Sequence, residues 1–226
     1  MLVVLRLGHI LFTRELDMEL WKGYREVLMR FLERGNKGVI VTGGGEIARE
    51  QIKKARLLNL DWSLCDEIGI MCSRIHALLL YGYMKERAMV EFTGDLQRIA
   101  NIARENQLVI TGGMFPGQST DAVAALIAER VGADLVIKAL DVGGVYDKDP
   151  KKYPEAKLLK KISAKKLWRM ISTEELQAGG YKLLDPIALK VLERSQIPII
   201  FIDGRDVKSL EKVFQGEDVG TRVIYT

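Results

Sequence analysis

The chain of 226 residues is poor in the residues that build metal sites and has no long apolar run. Its two histidines and two cysteines do not cluster with the spacing of zinc ligands, which argues against a zinc site. Nowhere do about 18 apolar residues run together, so we expect no membrane-spanning helix. The segment Met1–Arg6 lacks the basic region and the apolar length of a signal peptide. We therefore expect a cytoplasmic protein without a membrane partner.

The two cysteines, Cys65 and Cys72, lie in a segment with a helical pattern. A helix rises about 1.5 Å per residue, which separates their Cα atoms by roughly 10 Å, beyond the reach of a disulfide. We expect two reduced core thiols, as is usual in a cytosolic protein.

The charges nearly balance, since 34 basic and 30 acidic residues give a formal net charge of +4. A slight positive excess suits an anionic small molecule, whereas a nucleic-acid-binding protein usually shows a segregated basic stripe. We therefore expect no nucleic-acid partner. One group of lysines in the C-terminal half is interpreted as a solvated surface. Its members are Lys148, Lys151, Lys152, Lys157, Lys160, Lys161, Lys165 and Lys166.

Short apolar runs alternate with helical patterns along the chain. The predicted strands are Leu2–Leu7, Gly38–Thr42, Leu108–Thr111, Leu135–Leu140, Pro198–Ile202 and Arg222–Tyr225. The predicted helices are a segment after Gly45, Asp66–Arg87, Thr120–Val131, and one with Asp185 as N-cap and Pro186 in its first turn. Such alternation indicates a mainly parallel sheet covered on both faces. The stretch Asp147–Glu155 is predicted to be an exposed loop between two lobes.

Two of the predicted strands run into glycines and then into a helix. The first continues into Gly43-Gly44-Gly45, and the second, Leu108–Thr111, continues into Gly112-Gly113. Such a junction leaves unpaired backbone N–H groups at the positive end of a helix dipole, which is a seat for phosphate. Glycine allows the phosphate to approach the backbone. Two such junctions indicate two phosphate groups, or the two ends of one nucleotide reaction.

Three common phosphate-binding templates do not fit. The dinucleotide fingerprint G-x-G-x-x-G is absent, since Gly43-Gly44-Gly45-Glu46 lacks its spacing. A P-loop nearly fits from Gly112 to Ser119, but Gln118 occupies the position of its lysine, so the β- and γ-phosphates would lose their charge partner. No glycine-rich loop accompanies H-R-D and D-F-G motifs, so the chain is not a protein kinase.

Further motifs follow in a fixed order along nearly the whole chain. They are Thr42-Gly43-Gly44-Gly45 with Ala48-Arg49, then Asp66, Gly69-Ile70 and Arg74, then Gly112-Gly113, Pro116-Gly117 and Ser119–Ala125, then Gly144-Val145-Tyr146 and Asp149-Pro150, and last Asp185-Pro186 with Ala188 and Lys190. In this order they resemble the amino-acid kinase superfamily and, within it, the uridylate (UMP) kinases of archaea.

The resemblance implies one domain with an α/β fold, a three-layer α/β/α sandwich around a mainly parallel central sheet. It implies Mg²⁺-dependent transfer of the γ-phosphoryl group of ATP to UMP, giving UDP for pyrimidine nucleotide synthesis. It also implies a homo-oligomer, which in the family is usually a hexamer.

The same resemblance places UMP on roughly residues 1–133 and ATP with Mg²⁺ on roughly residues 134–226. The implied UMP-binding residues are Gly44, Asp66, Met114, Phe115, Pro116, Gly117, Gln118, Ser119 and Thr120. The implied ATP-binding residues are Gly8, His9, Gly45, Arg49, Tyr146 and Asp149. Arg6, Arg49 and Asp121 are the implied catalytic residues, and no residue is assigned as a metal ligand.

The residue types suit these roles. Asp66 offers two carboxylate oxygens to the ribose hydroxyls, and Arg49 lies one helical turn inside a helix N-terminus, within reach of an anion there. Asp121 would lie near the transferred phosphoryl group, where it could hold Mg²⁺, orient a lysine or only cap its helix. UMP brings an ionised phosphate as nucleophile, so catalysis consists of alignment and charge neutralisation without a general base.

The donor side departs from the family pattern. The turn after the first strand reads Arg6-Leu7-Gly8-His9-Ile10, where the family has a glycine-rich turn, often with a lysine. Either His9 replaces the second glycine, or a shift of one residue puts Gly8 there and leaves His9 as a polar donor. Arg6 would then supply the missing lysine charge. Leu140 stands in place of the threonine that would contact ATP.

These departures leave a second hypothesis. The chain could be a catalytically impaired paralogue that serves as a nucleotide sensor or as a storage protein for molybdate or tungstate. An active kinase is favoured, because a chain without phosphoryl transfer would have little use for Arg49, Asp66 and Asp121 together.

Overall fold

One eight-stranded sheet, in the order β3-β4-β2-β1-β5-β7-β8-β6, forms the centre of the molecule. The structure is a computed structural model that describes residues 1–172 and 183–225. Its strands are β1 (Leu2–Leu7), β2 (Lys37–Thr42), β3 (Ala88–Val90), β4 (Leu108–Thr111), β5 (Leu135–Leu140), β6 (Lys161–Ser163), β7 (Ile199–Asp203) and β8 (Thr221–Ile224). Strands β7 and β8 are antiparallel, and the other neighbouring pairs are parallel.

The helices of the described residues mostly begin at an aspartate cap. They are α1 (Met18–Glu33), α2 (Gly45–Leu57), α3 (Trp62–Met84), α4 (Leu96–Glu105), α5 (Thr120–Val131), α6 (Ala164–Ser172), α7 (Pro186–Ser195) and α8 (Val207–Phe214). Asp17, Asp61, Asp95, Asp185 and Asp206 each accept a backbone N–H of the first turn. These caps satisfy donors that a helix N-terminus leaves free. None of the helices described is long and apolar enough to cross a bilayer.

Helices cover both faces of the sheet, as the side chains of the central strand β1 show. Val3, Leu5 and Leu7 belong to a core formed with α1, α3 and α8. Val4 points to the opposite face and belongs to a second core, formed with α4, α5, α6 and α7. Strands that are buried on both faces read as continuous apolar runs. The predicted three-layer α/β/α sandwich with a mainly parallel sheet is confirmed.

The six predicted strands are all present, each within one residue of its predicted bounds. The helix Thr120–Val131 is confirmed, and the helix after Gly45 begins at that glycine. The prediction for Asp66–Arg87 is wrong at both ends, because Asp61 caps the helix at Trp62 and the helix ends at Met84. Cys65 and Cys72 of this helix are free and buried, as predicted.

The sequence does not predict β3 and β6, which have three residues each and lie at the two edges of the sheet. Alternation over three residues is too short to detect. Helices α1, α4, α6 and α8 also lie outside the predicted set. The stretch Asp147–Glu155 contains neither helix nor strand and is exposed except at Asp149 and Pro150, while its place between two lobes stays a prediction. The eight clustered lysines are all exposed, as predicted.

Candidate active site

The two glycine turns lie at the same edge of the sheet. Strands β1, β2, β4 and β5 run parallel, so their carboxyl ends meet at one edge. Gly43–Gly45 follows β2, Gly112-Gly113 follows the adjacent β4, and the turn of Gly8 and His9 follows β1 on the other side of β2. In open α/β sheets ligands bind outside this edge. The predicted convergence of the junctions is therefore present in the fold.

Two hydroxyl groups hold both turns against α3. The Oγ1 of Thr42, at the end of β2, donates to the carbonyl oxygen of Ser73 at 2.8 Å and lies 3.1 Å from the carbonyl oxygen of Thr111, at the end of β4. The Oγ of Ser73 accepts from the N–H of Gly113 at 2.7 Å. A Cβ at Gly112 would lie only 2.7 Å from that same Oγ. The approach of α3 to both strand ends therefore requires glycine at the second turn.

A buried histidine braces the first turn. The ring of His76 on α3 stacks on Phe12 with centroids 4.3 Å apart, and its Nδ1 lies 2.7 Å from the carbonyl oxygen of Gly43. Because a carbonyl only accepts, Nδ1 carries the hydrogen. Burial lowers the pKa of His76, which keeps the ring neutral near pH 7. Gly45 has φ +60°, and a Cβ there would lie 3.0 Å from the carbonyl oxygen of Phe12, so only glycine fits.

Gly44 is needed for helix packing. A Cβ on Gly44 would lie 2.4 Å from the Cβ of Ala48 and 3.0 Å from the carbonyl oxygen of Gly69 on α3, and it would push α2 and α3 apart. The geometry thus gives a packing reason for this glycine, and the close approach of a phosphate to its backbone stays a prediction. Gly44 is half-buried and precedes α2 as its N-cap, without a capping side chain.

Two side chains of α3 hold the loop that precedes α5. Asp66 accepts the N–H of Gly117 at 2.7 Å through Oδ2, and Arg74 donates from Nε to the carbonyl oxygen of Gly113 at 3.2 Å. Among the described residues, the Oδ1 of Asp66 has no hydrogen-bond donor. Asp66 thus lies beside the predicted uracil-binding segment and keeps one oxygen for another partner.

The segment from Met114 to Thr120 presents main chain and few buried side chains. Met114 is 5% exposed and packs in the core, while Phe115, Pro116 and Gly117 are exposed. The hydroxyl of Ser119 caps α5 by accepting the N–H of Ala122 at 3.1 Å.

Gln118 stands out within this segment. Its Oε1 is buried and has no hydrogen-bond partner in the part of the chain that is described. A buried carbonyl oxygen without a donor is costly, so this atom is well suited to a polar ligand.

A largely buried carboxylate lies between two cations. Asp121, in the first turn of α5, lies 2.5 Å from the Nζ of Lys138 and 2.8 Å from the Nε of Arg6. Burial opposes the charge of Asp121, but Lys138 and Arg6 outweigh it and lower the pKa of the carboxyl below its usual value. Both carboxylate oxygens contact cations and Ser119 caps the helix. Of the three roles considered for Asp121, orienting a lysine fits this geometry.

The guanidinium of Arg6 lies between the turns after β1 and β2. A Cβ at Gly8 would lie 2.2 Å from its Nη1, and a Cβ at Gly43 would lie 3.2 Å from its Nη2. Nη2 also donates to the Oγ1 of Thr120 at 2.8 Å. The Arg6 side chain is 19% exposed, so the cation is held from both sides and still reaches solvent at the sheet edge.

Arg49 and His9 also lie at this edge, Arg49 as a cation and His9 as a polar ring. Arg49 is exposed and forms no ion pair with a described residue. The Nε2 of His9 lies 3.6 Å from the Oδ2 of Asp141, which also pairs with Lys151. Burial lowers the pKa of His9, and the charges of Arg49 and Arg6 lower it further against the pull of Asp141. The positive charges of Arg6 and Arg49 at this edge favour a bound anion.

The other residues on the predicted donor side lie at the end of β5 and in the segment that follows it, where they make structural contacts. The carboxylate of Asp149 is buried and accepts the N–H of Lys151 at 3.0 Å through Oδ1, which forms a turn. Tyr146 is half-buried and pairs with Leu158 in an isolated antiparallel bridge. Leu140 is 7% exposed and belongs to the core.

Two residues of this site, Lys138 and His76, are not predicted from the sequence. Each leaves a signal, since Lys138 is the one charged residue of the apolar strand Leu135–Leu140 and His76 is one of two histidines in the chain. A charge in a buried strand needs a partner. That partner, Asp121, belongs to another element, and spacing along the chain does not reveal it.

The fold and the site together define an α/β protein with glycine turns at the carboxyl edge of a mainly parallel sheet, where ligands bind in open α/β folds. The sequence model described as "Amino acid kinase family" matches residues 1–203. The chain belongs to the amino acid kinase family, and the predicted membership is confirmed.

Similar proteins lie within the uridylate kinases. The chain is 40% identical over 223 residues to the uridylate kinase of Methanothrix thermoacetophila, with 99% of each chain covered. It is 36% identical to that of Sulfurisphaera tokodaii, with 98% of each covered. The crystal structure of uridylate kinase from Archaeoglobus fulgidus matches with a TM-score of 0.87 at 34% identity, covering 99% of this chain and 100% of that one. UMP kinase from Bacillus anthracis, at 20% identity, shares the fold with a TM-score of 0.81, covering 98% of this chain and 95% of that one.

Proposed function

We propose that this chain is a UMP kinase, which transfers the γ-phosphoryl group of Mg-ATP to UMP and releases UDP and ADP. The observation that carries the proposal is the place of Arg6, whose guanidinium lies between two glycine turns at one sheet edge and is held there by Asp121. The similarity to uridylate kinases over nearly the whole chain supports the same activity.

In this proposal UMP binds along α2, α3 and the loop before α5. The backbone of Gly44 and the cation of Arg49 bind its phosphate, where the helix N-terminus also favours an anion. The free Oδ1 of Asp66 accepts a ribose hydroxyl. The buried and unpaired Oε1 of Gln118 accepts the N3–H of uracil, which cytosine lacks. This contact gives preference for UMP over CMP.

The donor binds at the carboxyl ends of β1 and β5. The backbone of Gly8 and Gly45 and the ring of His9 meet the ATP phosphates, Tyr146 packs near the adenine, and Asp149 holds the adjoining turn. Mg²⁺ enters with ATP as the Mg-ATP substrate, because both oxygens of Asp121 already contact Lys138 and Arg6.

The reaction then needs alignment and charge. An oxygen of the UMP phosphate attacks the γ-phosphorus while the bond to the bridging oxygen breaks and ADP leaves. The attacking phosphate is already ionised, so no side chain has to remove a proton. Arg6 and Arg49 neutralise the charge on the transferred group, and the two turns fix donor and acceptor in line.

A coupled assay with Mg-ATP and each nucleoside monophosphate tests the proposal. We expect turnover with UMP on the order of 1–100 per second and much less with CMP. Binding of UMP without turnover would instead support an impaired paralogue that senses nucleotides. Retention of molybdate or tungstate through gel filtration would support the storage hypothesis.

His9 is expected to make ATP binding depend on pH. Its pKa is lowered in the free protein, and bound phosphates would raise it again because they favour the imidazolium. Binding therefore takes up a proton, and affinity rises as pH falls from about 7.5 to about 6. Calorimetry measures the Mg-ATP affinity of the wild type and of His9→Asn at both pH values. As pH falls across this range, the ratio of wild-type to His9→Asn affinity should rise about threefold or more. Parallel pH profiles would place the ring away from the phosphates.

The proposal includes a homo-oligomer in which α3 contacts a second copy of the chain. Met71, Ile75, Leu78 and Leu79 are 60%, 54%, 49% and 54% exposed and form one stripe along α3. An exposed apolar stripe of this kind is typical of a protein contact surface. An antiparallel pair of α3 helices would cover both stripes, and such a contact is self-complementary by two-fold symmetry.

The stripe gives a test of assembly. The double variant Met71→Glu/Ile75→Glu should be a monomer in size-exclusion chromatography with light scattering, because burying four carboxylates in the pair is unfavourable. Glu26→Lys, on the exposed side of α1, serves as the control and should keep the wild-type mass. A wild-type mass in the double variant would show that this stripe is not the contact.

A further inference from the structure

Two cations lie side by side in the centre of the sheet. Arg6 of β1 and Lys138 of β5 are register partners on adjacent parallel strands. Both reach the same side chain of α5, so they occupy the same face. Lys138 is 4% exposed. Like charges opposite each other in a sheet are destabilising, so this arrangement needs compensation.

Asp121 supplies that compensation, but only in part. Its Oδ2 lies 2.5 Å from the Nζ of Lys138, and its Oδ1 lies 2.8 Å from the Nε of Arg6. One carboxylate therefore serves two cations, and the group of three keeps a net positive charge. Apolar side chains, among them Leu184 and Leu192, close the core side of this group. Burial lowers the pKa of Lys138, and the charge of Arg6 lowers it further, while Asp121 and the more distant Asp185 favour the charged form.

The two cations differ in what they can reach. The Arg6 side chain is 19% exposed and borders the glycine turns, whereas that of Lys138 is 5% exposed and lies on the core side of Asp121. Arg6 can meet a phosphate, and Lys138 cannot without moving Asp121. If Asp121 paired with Arg6 alone, the pair would be neutral and the site would lose its central charge.

We propose that Lys138 is a positioning residue for phosphoryl transfer. It neutralises Asp121, so that the carboxylate orients the guanidinium of Arg6 between the turns while Arg6 keeps its positive charge for the transferred phosphoryl group. This inference rests on the proposed kinase function and goes further, since it makes the pair Lys138–Asp121 a neutral support for Arg6.

A double-mutant cycle with Lys138→Met, Asp121→Asn and the combined variant tests the inference. Lys138→Met should lower kcat about 10- to 100-fold and change the KM for UMP by less than about threefold, because Asp121 then neutralises Arg6. The combined variant leaves Arg6 charged, without a cationic neighbour and beside an uncharged amide in place of the carboxylate. It should exceed Asp121→Asn in kcat by about tenfold or more.

Controls separate positioning from packing. Lys165→Met, an exposed replacement of the same type in α6, should keep wild-type kcat and thermal stability. Circular dichroism establishes folding of each variant, and if Lys138→Met does not fold, the comparison of the combined variant with Asp121→Asn decides. The inference is overturned if Lys138→Met has wild-type kcat, or if the combined variant is no faster than Asp121→Asn.

Failure of the proposed function would be seen separately, as absent turnover in the wild-type protein. The same four proteins are then titrated with ATP alone. Weaker ATP binding by Lys138→Met that is restored in the combined variant supports the charge assignment without any reaction. Equal ATP affinity in all four proteins overturns it.

Discussion

Replacement of Asp121 by asparagine is expected to lower kcat by about 100-fold or more while the KM for UMP changes by less than about threefold. The carboxylate lies 2.5 Å from the Nζ of Lys138 and 2.8 Å from the Nε of Arg6. Without its charge the two cations repel each other, and Arg6 loses its position between the turns. Steady-state kinetics with Mg-ATP and UMP measure the effect. Equal losses in turnover and in UMP affinity would show that Asp121 supports the structure without orienting Arg6 for the transfer.

The same variant should also be less stable. Removing one partner from a buried ion group typically costs about 3–5 kcal/mol in the free energy of unfolding, measured by urea denaturation. Because the pKa of Asp121 is lowered in the folded protein, its contribution is present above about pH 4 and is lost as pH falls further. The variant should lack this part of the acid sensitivity. Asp218→Asn, on an exposed loop, is the control and should match the wild type.

Replacement of Gly44 by alanine is expected to destabilise the protein by about 2–3 kcal/mol and to weaken UMP binding at least tenfold. The added Cβ would lie 2.4 Å from the Cβ of Ala48 and 3.0 Å from the carbonyl oxygen of Gly69. Neither is the end of a flexible side chain, so α2 has to move away from α3. That movement displaces the N-terminus of α2, which the proposal assigns to the UMP phosphate.

A glycine of α3 provides the matched control for this variant. Outside the neighbouring backbone of its own helix, no atom of the described residues lies within 4 Å of a Cβ added at Gly82. Gly82→Ala should therefore keep UMP affinity and gain up to about 1 kcal/mol from helix propensity. Thermal denaturation and UMP titration measure both variants. A Gly44→Ala protein as stable as the wild type, with normal UMP affinity, would show that the contact between α2 and α3 is not tight.

The fold could be predicted because its signals are local. Continuously apolar runs such as Pro198–Ile202 and the caps at Ser119 and Asp185 are read from a few consecutive residues. Glycines after β2 and β4 likewise mark the turns, and parallel pairing then brings the turns to one edge. Strands β3 and β6 could not be predicted, because three residues are too few to show an alternating pattern.

The site could be predicted only where its residues act through the backbone or through nearby positions. The partnership of Asp121 with Lys138 joins α5 to β5, and that of His76 with Gly43 joins α3 to the first turn. Such contacts are fixed by tertiary packing. The sequence shows a lone lysine in a buried strand and a lone histidine in an apolar helix, but not which groups satisfy them.

The turn after β1 illustrates how packing decides between alternatives. Ile10, which stands where the family has a polar residue, is 7% exposed, and a Cβ at Gly204 would lie 3.3 Å from its Cγ1. It therefore belongs to the core. His9 is half-exposed and lies beside Asp141. This geometry favours the register in which Gly8 takes the place of the second glycine and His9 is the polar group of the donor turn.

We expect main-chain groups of neighbouring strand ends to form a single cleft that holds both nucleotides with their phosphates adjoining. Calorimetry with a bisubstrate ligand, adenosine and uridine linked by five phosphates, measures this. One ligand should bind per chain, more tightly than UMP or ATP, and either nucleotide should displace it. Binding no tighter than that of ATP alone, or a ligand that UMP fails to displace, would contradict it.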